Sequence, residues 1–214
     1  LDLKETINSA FLHTDINGGF VSAALENFSL VLGGRVSDHN EFGSHLTYEV
    51  NPRYRFSSGS MVYAALTTGY NAPSLYRLNS PEISFGEQYS LGNSTLKPEE
   101  SVSYELGWKQ DIYEAVSLNV SLFKTKVTNV IEYVYLWDGD TSFEAISVED
   151  NLGDTFVNAS RQDINGLEVG MEFQPDSRFF FSCSLTLSES TVSFSPEYLK
   201  SSYPNENYVQ IYQS

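Results

Sequence analysis

Apolar and polar residues alternate along many short stretches of this chain. Between residues 45 and 56, apolar side chains stand at every second position, with mostly polar or charged side chains between them; the apolar ones are Leu46, Tyr48, Val50, Pro52, Tyr54 and Phe56. A β-strand directs successive side chains to opposite sides, so this spacing predicts a strand with one apolar and one polar face.

The same alternation, clear or weaker, predicts about eight strands, at residues 18–26, 28–36, 45–56, 60–69, 103–110, 116–123, 166–173 and 178–187. No apolar run approaches the roughly 20 residues that a membrane-spanning helix needs. The predicted fold class is therefore all-β, with antiparallel strands.

The connections between these strands alternate between short and long. Short breaks lie at residues 26–27, 57–59, 111–115 and 175–177, whereas long ones lie at 37–44, 70–98, 137–154 and from 190 onward. An up-and-down outer-membrane β-barrel has this layout, because its periplasmic turns are short and its external loops long. A soluble β-sandwich also alternates, but with its apolar face sealed inside. We therefore expect Leu106, Trp108, Val169 and Phe181 to face lipid.

Composition and motifs narrow the range of functions that the chain could have. Aromatic residues make up 14% of the chain, which suits aromatic girdles at membrane interfaces. The formal net charge of -16 argues against a nucleic-acid partner. Cys183 is the only cysteine, so no internal disulfide can form. Nucleophile-elbow, zinc-protease and P-loop motifs are absent, so no enzyme activity is predicted.

The most specific residues flank the longest internal loop. The stretch Gly69-Tyr70-Asn71-Ala72-Pro73-Ser74-Leu75-Tyr76 resembles a "G-[FY]-x-A-P-S-L" box of TonB-dependent outer-membrane receptors. About twenty residues later, Gly92-Asn93-Ser94-Thr95-Leu96-Lys97-Pro98-Glu99-Glu100-Ser101 is similar to the family's "G-N-P-x-L-K-P-E-x-S" box, with Ser94 in place of the usual Pro. Weaker resemblances continue in order through Tyr104-Glu105-Leu106-Gly107, residues 123–131, Val157-Asn158-Ala159 and Gly166-Leu167-Glu168.

The resemblance implies a larger protein in the bacterial outer membrane. Receptors of this family have a barrel of about 22 strands whose lumen is filled by a plug domain. We expect residues 1–214 to be part of that barrel domain, without the plug, the TonB box and the C-terminal strands. By resemblance, the whole protein contacts outer-membrane lipid and binds a small metal chelate or a corrinoid, such as a siderophore–iron complex or cobalamin. TonB, with ExbB and ExbD, would supply the energy through the missing N-terminal region.

Candidate ligand-binding residues lie in the two longest internal loops. Arg can pair with an anionic ligand group, and Tyr and Trp offer an apolar face with a polar tip. On this basis we single out Tyr76, Arg77, Tyr89, Tyr135 and Trp137. The histidines His13, His39 and His45 all lie outside residues 73–92, which disfavours haem, and His39 is expected at the surface of an external loop.

Acidic residues are frequent in the loop that begins after Trp137. Oxygen ligands at Asp138 and Asp140 could hold Ca²⁺, but the spacing matches no calcium loop well and a solvated acidic loop is the simpler interpretation. No other metal or cofactor is predicted.

Three alternatives remain open from the sequence. A passive porin-like channel shares the strand pattern, and an outer-membrane hydrolase would require a catalytic cluster at the barrel rim. A soluble β-sandwich adhesin would instead seal its apolar face in a core.

Overall fold

The computed structural model describes residues 4–80, 83–85, 88–90, 92–112, 115–137, 151–194 and 207–209. Eight of the described strands run from 11 to 26 residues: β1 (Ile7–Asn17), β2 (Phe28–His39), β3 (Gly43–Arg55), β4 (Ser60–Asn71), β7 (Glu99–Ile112), β8 (Val116–Trp137), β9 (Asn151–Asp176) and β10 (Phe179–Phe194). Three are short: β5 (Ile83–Phe85), β6 (Gln88–Ser90) and β11 (Asn207–Val209). The helical segments are α1 (Gly18–Val21), a single 3-10 turn (Ala23–Leu25) and α2 (Leu75–Asn79). Among the described residues, no helix is long and apolar enough to cross a membrane.

All eleven described strands belong to one sheet. The long strands follow the order β1-β2-β3-β4-β7-β8-β9-β10, and every neighbouring pair is antiparallel. Each long strand therefore lies beside the next long strand in the chain, which is the up-and-down arrangement predicted from the alternating connections. Within the described part of the chain β1 pairs only with β2, so the sheet has an open edge there.

Three details differ from the sequence prediction. Residues 18–26, predicted as a strand, form α1 and the 3-10 turn, because Asn17 and Ser22 cap them by accepting bonds from Gly19 N–H and Ala24 N–H. The strand of this region is β1, which the alternation did not identify. The connection predicted at 37–44 shrinks to residues 40–42, because β2 and β3 continue pairing to His39 and Gly43.

His39 is also placed differently from the prediction of surface exposure. It is only 3% exposed, and its Nε2 lies 2.8 Å from the Glu5 carboxylate. The Glu41 N–H donates to its Nδ1 over 3.0 Å, so His39 joins the start of the chain to the β2–β3 turn.

The apolar face of the sheet is exposed, as predicted for a wall that meets lipid. Side chains that a sandwich would bury remain open: Leu106 is 56% exposed, Trp108 37%, Val169 38% and Phe181 54%. These residues share one face across β7, β8, β9 and β10, because Leu106 pairs with Leu122, Leu122 with Leu167, and Leu167 with Leu187. A single sheet with this exposed face excludes the two-sheet sandwich.

The opposite face of the sheet is polar, and side chains such as Tyr63 lie along its surface. Tyr63 donates a hydrogen bond to Glu105 over 2.6 Å, and its ring covers Gly107 on the neighbouring strand. Arg53 pairs with Asp15 at 3.6 Å on the same side of the sheet. Several polar groups on this face pair with one another, as expected for a surface that lines a water-filled or protein-filled lumen.

Candidate functional site

The connection between β4 and β7 forms a compact platform at the end of the sheet that carries the long connections. Pro73 is almost fully buried, and its ring favours an extended backbone at Ala72, which turns the chain away from β4. Ser74 then caps α2, because its hydroxyl oxygen accepts a hydrogen bond from Arg77 N–H. This is the local reason for the sequence Ala-Pro-Ser-Leu at this point.

A small apolar cluster anchors the platform. Leu78 of α2 and Leu96 pack with Ile131 of β8, and the three are 7%, 3% and 8% exposed. Phe42 from the β2–β3 turn and Phe156 from β9 pack against them. The platform therefore joins the β4–β7 connection to the β2–β3 turn and to strands β8 and β9.

Two asparagines fasten the second half of the platform to β9. Asn93 donates its side-chain N–H to the Phe156 carbonyl over 2.7 Å, while its Oδ1 accepts from Thr95 N–H. Asn158 accepts from Lys97 N–H over 2.7 Å and donates to the Lys97 carbonyl over 2.8 Å. Both asparagines are buried, so these bonds hold the loop to the strand where water has little access.

The beginning of β7 is fixed in the same way. The Glu99 carboxylate accepts from Ile131 N–H and from the Asn71 side chain, both over 2.8 Å. Asn129 has a positive φ of 55° beside an irregularity in β8–β9 pairing, and its side chain donates to the Pro98 carbonyl over 3.3 Å. Asn tolerates this backbone conformation better than most residues, which explains its presence there.

Two glycines of the boxes lie close against neighbouring atoms. A Cβ at Gly92 would overlap the backbone between Leu78 and Ser80, and one at Gly69 would meet the Ser101 hydroxyl. The box residues Gly69, Ala72, Pro73, Ser74, Leu75, Gly92, Asn93, Leu96, Pro98 and Glu99 thus surround the roots of the platform.

Two of the predicted ligand-binding residues converge on one aromatic ring. The Tyr76 ring lies edge-on to Phe156 with centroids 6.3 Å apart, and the Arg77 guanidinium carbon lies 5.6 Å from the same centroid. Tyr133 meets Phe156 from β8 at 5.5 Å. Tyr76 is 60% exposed, so this aromatic patch, defined as Tyr76, Arg77, Tyr133 and Phe156, presents an aromatic surface and a cation to the outside of the platform.

The other predicted residues are placed only by their backbone. Tyr89 lies in β6, which pairs in parallel with β9 at Gly153. Tyr135 and Trp137 were predicted in a loop, but they lie among the last paired residues of β8 and β9. Their side chains are outside the described part of the structure, as are Asp138 and Asp140 entirely.

Phe156 and Tyr133 were not singled out from the sequence. Tyr133 carried a signal, because Ile131, Tyr133 and Tyr135 continue the period of two beyond the predicted end of the strand. No sequence signal pointed to Phe156, because its partner Arg77 is far away in the sequence. Among the described residues, no group of three or more His, Cys, Asp or Glu side chains is arranged to hold a metal ion.

Comparison with known families gives one match over most of the chain. The family described as "TonB dependent receptor-like, beta-barrel" matches residues 5–211. The vitamin B12 transporter BtuB of Vibrio cholerae is 27% identical over 113 residues, a match that covers 53% of this chain and 17% of the transporter.

Solved structures share the fold over nearly the whole chain. The siderophore receptor PirA from Pseudomonas aeruginosa is 20% identical with a TM-score of 0.65, over 87% of this chain and 32% of the receptor. A mutant of the ferric enterobactin receptor PfeA from the same organism, solved with enterobactin, is 23% identical with a TM-score of 0.66, over 86% and 27%. The chain therefore spans about a third or less of each of these three proteins, which are named as transporters or receptors.

Proposed function

Since the chain belongs to the TonB-dependent receptor-like β-barrel family of the bacterial outer membrane, we propose that it is part of an active-transport receptor for a scarce nutrient. The cargo is a siderophore–iron complex, cobalamin or a related small compound. Energy comes from TonB with ExbB and ExbD, acting on a plug and TonB box outside residues 1–214.

The observation that carries the ligand-binding part is the convergence of Tyr76 and Arg77 on Phe156. Among the described residues, the Arg77 guanidinium has no carboxylate partner, so its charge is available to an anionic group. Stacking on Phe156 holds the guanidinium in place without neutralising it. An aromatic surface beside a cation suits a flat, anionic ligand, such as the chelating part of a siderophore.

The backbone of the patch is fixed before any ligand arrives. Arg77 N–H bonds to Ser74 and the Arg77 carbonyl accepts from Asn93 N–H over 2.8 Å. A ligand that meets this patch therefore orders few new backbone groups, which favours tight binding. Tyr89, Tyr135 and Trp137 remain predicted contributors from neighbouring strands.

The test measures binding of ferric enterobactin and of cobalamin to the full-length receptor. For the compound that binds, we expect Arg77→Gln to weaken affinity roughly tenfold to a hundredfold, because a charge-assisted bond is lost. Arg178→Gln is the matched control, since Arg178 lies at the opposite end of the sheet in the β9–β10 turn and pairs with Asp176. Equal affinity of both variants and the unaltered protein would refute the assignment of Arg77.

Uptake in cells distinguishes active transport from the porin-like alternative. Uptake of the bound compound should cease in cells that lack TonB. Uptake that continues at an unchanged rate without TonB would mean that the barrel is a passive channel, even if the compound binds.

A further inference from the structure

Lys124 and Lys126 lie on the face of β8 that is apolar from Val116 to Leu122. Thr125, between them, bonds through its hydroxyl to Ser103 over 2.8 Å on the polar face, so both lysines point the other way. Lys124 stands opposite Tyr104 on β7, two residues beyond Leu122 in the same outward column. These lysines therefore face the membrane side of the wall and not the lumen.

Their height places them at one particular level of the membrane. Val116 begins β8 next to a short turn, and a strand rises about 3.3 Å per residue with a tilt of about 40° in such barrels. The Cα atoms of Lys124 and Lys126 then lie about 20 Å and about 25 Å above Val116 along the membrane normal. The apolar band of an outer-membrane barrel is about 25 Å tall, so both lysines reach its outer edge, on the side of the long connections.

Neither lysine is paired with a carboxylate in the part of the chain that the structure describes. Within the described residues, no hydrogen bond or ion pair involves the ammonium group of Lys124 or Lys126. Asp163 stands opposite Lys126 on β9, but its carboxylate is held by Arg161 at 3.1 Å. The next carboxylates on this face are Glu100 on β7, opposite Thr128, and Glu189 on β10, across Asn165 from Lys124.

We propose that Lys124 and Lys126 form an outward docking site for the phosphate of a phosphorylated lipid in the outer leaflet. Their Cα atoms are about 6.6 Å apart along the strand, so both ammonium groups can reach one phosphate group. Their alkyl stems lie along the apolar wall while the ammonium groups extend to the headgroup level. Tyr104, 51% exposed beside Lys124, offers an aromatic contact for the adjoining part of the lipid.

The experiment uses the full-length receptor, purified and stripped of lipid, and titrated with a phosphorylated lipid of the outer leaflet in detergent. Each lysine near an anionic lipid strengthens binding roughly fivefold, so the double variant Lys124→Gln/Lys126→Gln should bind roughly 30-fold more weakly. Lys109→Gln is the matched control, because Lys109 lies over the Tyr63 ring on the polar face. The double variant Lys124→Arg/Lys126→Arg should keep the affinity, since the charges remain.

Three outcomes would overturn the proposal: unchanged lipid affinity in the Gln double variant, an equal loss in Lys109→Gln, or displacement of the lipid by millimolar inorganic phosphate. Binding of the transported compound is a separate measurement on the same proteins. A receptor that binds lipid at this site but binds neither enterobactin nor cobalamin would therefore leave the lipid site standing and count only against the proposed cargo.

Discussion

Asn158→Ala should loosen the platform without disturbing the wall below it. The Asn158 side chain makes three hydrogen bonds of 2.7 to 2.8 Å, two to the Lys97 backbone and one to the Asn129 carbonyl, and the residue is 6% exposed. Each such bond contributes about 1 kcal/mol net, so their joint loss costs about 3 kcal/mol. That free energy corresponds to local opening that is roughly 150 times more frequent.

Hydrogen exchange of the backbone amides measures this opening directly. In the full-length receptor, amides of residues 93–97 should exchange roughly 100-fold faster in the variant, whereas those of β4 should not change. Asn165→Ala is the control on the same strand, because Asn165 is exposed and stands opposite Lys124 rather than the platform. If exchange at 93–97 rises by less than about threefold, the three bonds do not hold the platform and the reasoning fails.

Two further substitutions test the faces of the wall. Gly107→Ala should destabilise the barrel in lipid vesicles by about 1 to 3 kcal/mol, because the added Cβ would displace the Tyr63 ring. Gly34→Ala should be neutral or slightly stabilising, because a Cβ there meets nothing within 4 Å. Equal urea midpoints of unfolding for the two variants would contradict this. Leu185 lies about 15 Å above the short turns and so near the bilayer midplane, and Leu185→Arg should reduce the stability of the folded barrel by about 2 to 4 kcal/mol. Ser184→Arg, on the polar face, should have little effect on stability. A larger loss of stability in Ser184→Arg than in Leu185→Arg would mean that the faces are assigned wrongly.

The sequence predicted the strands whose two faces differ most. β7 and β10 were located because their apolar columns are uninterrupted, and the short turns that follow β7 and precede β10 were located with them. β1 was missed because its outward column includes Thr14 as well as Leu12, and its inward column includes Phe11. Where both faces carry a mixture, alternation gives no period to detect.

The alternation of apolar and polar residues did not predict the ends of β8 and β9, for a different reason. Their pairing shifts register between Val127 and Ile131, and a bulge of this kind changes which residues share a face. The strands then continue to Trp137 and from Asn151, above the level at which lipid imposes an apolar column. Their own pairing and the contacts of the platform, which join residues about 60 positions apart, stabilise these extensions.

The two sequence boxes identified the platform, but they did not show which of its residues hold the loop and which contact the ligand. Arg77 belongs to the platform through its backbone, which bonds to Ser74 and Asn93, and to the aromatic patch through its side chain. Removing the side chain therefore leaves the loop intact and reports on ligand contact alone. Substituting Asn93 has the opposite effect, because it frees the Phe156 carbonyl and lets the patch move without removing any group that meets the ligand. A loss of affinity at Arg77 with unchanged amide exchange, beside a loss at Asn93 with faster exchange, separates recognition from positioning in this loop.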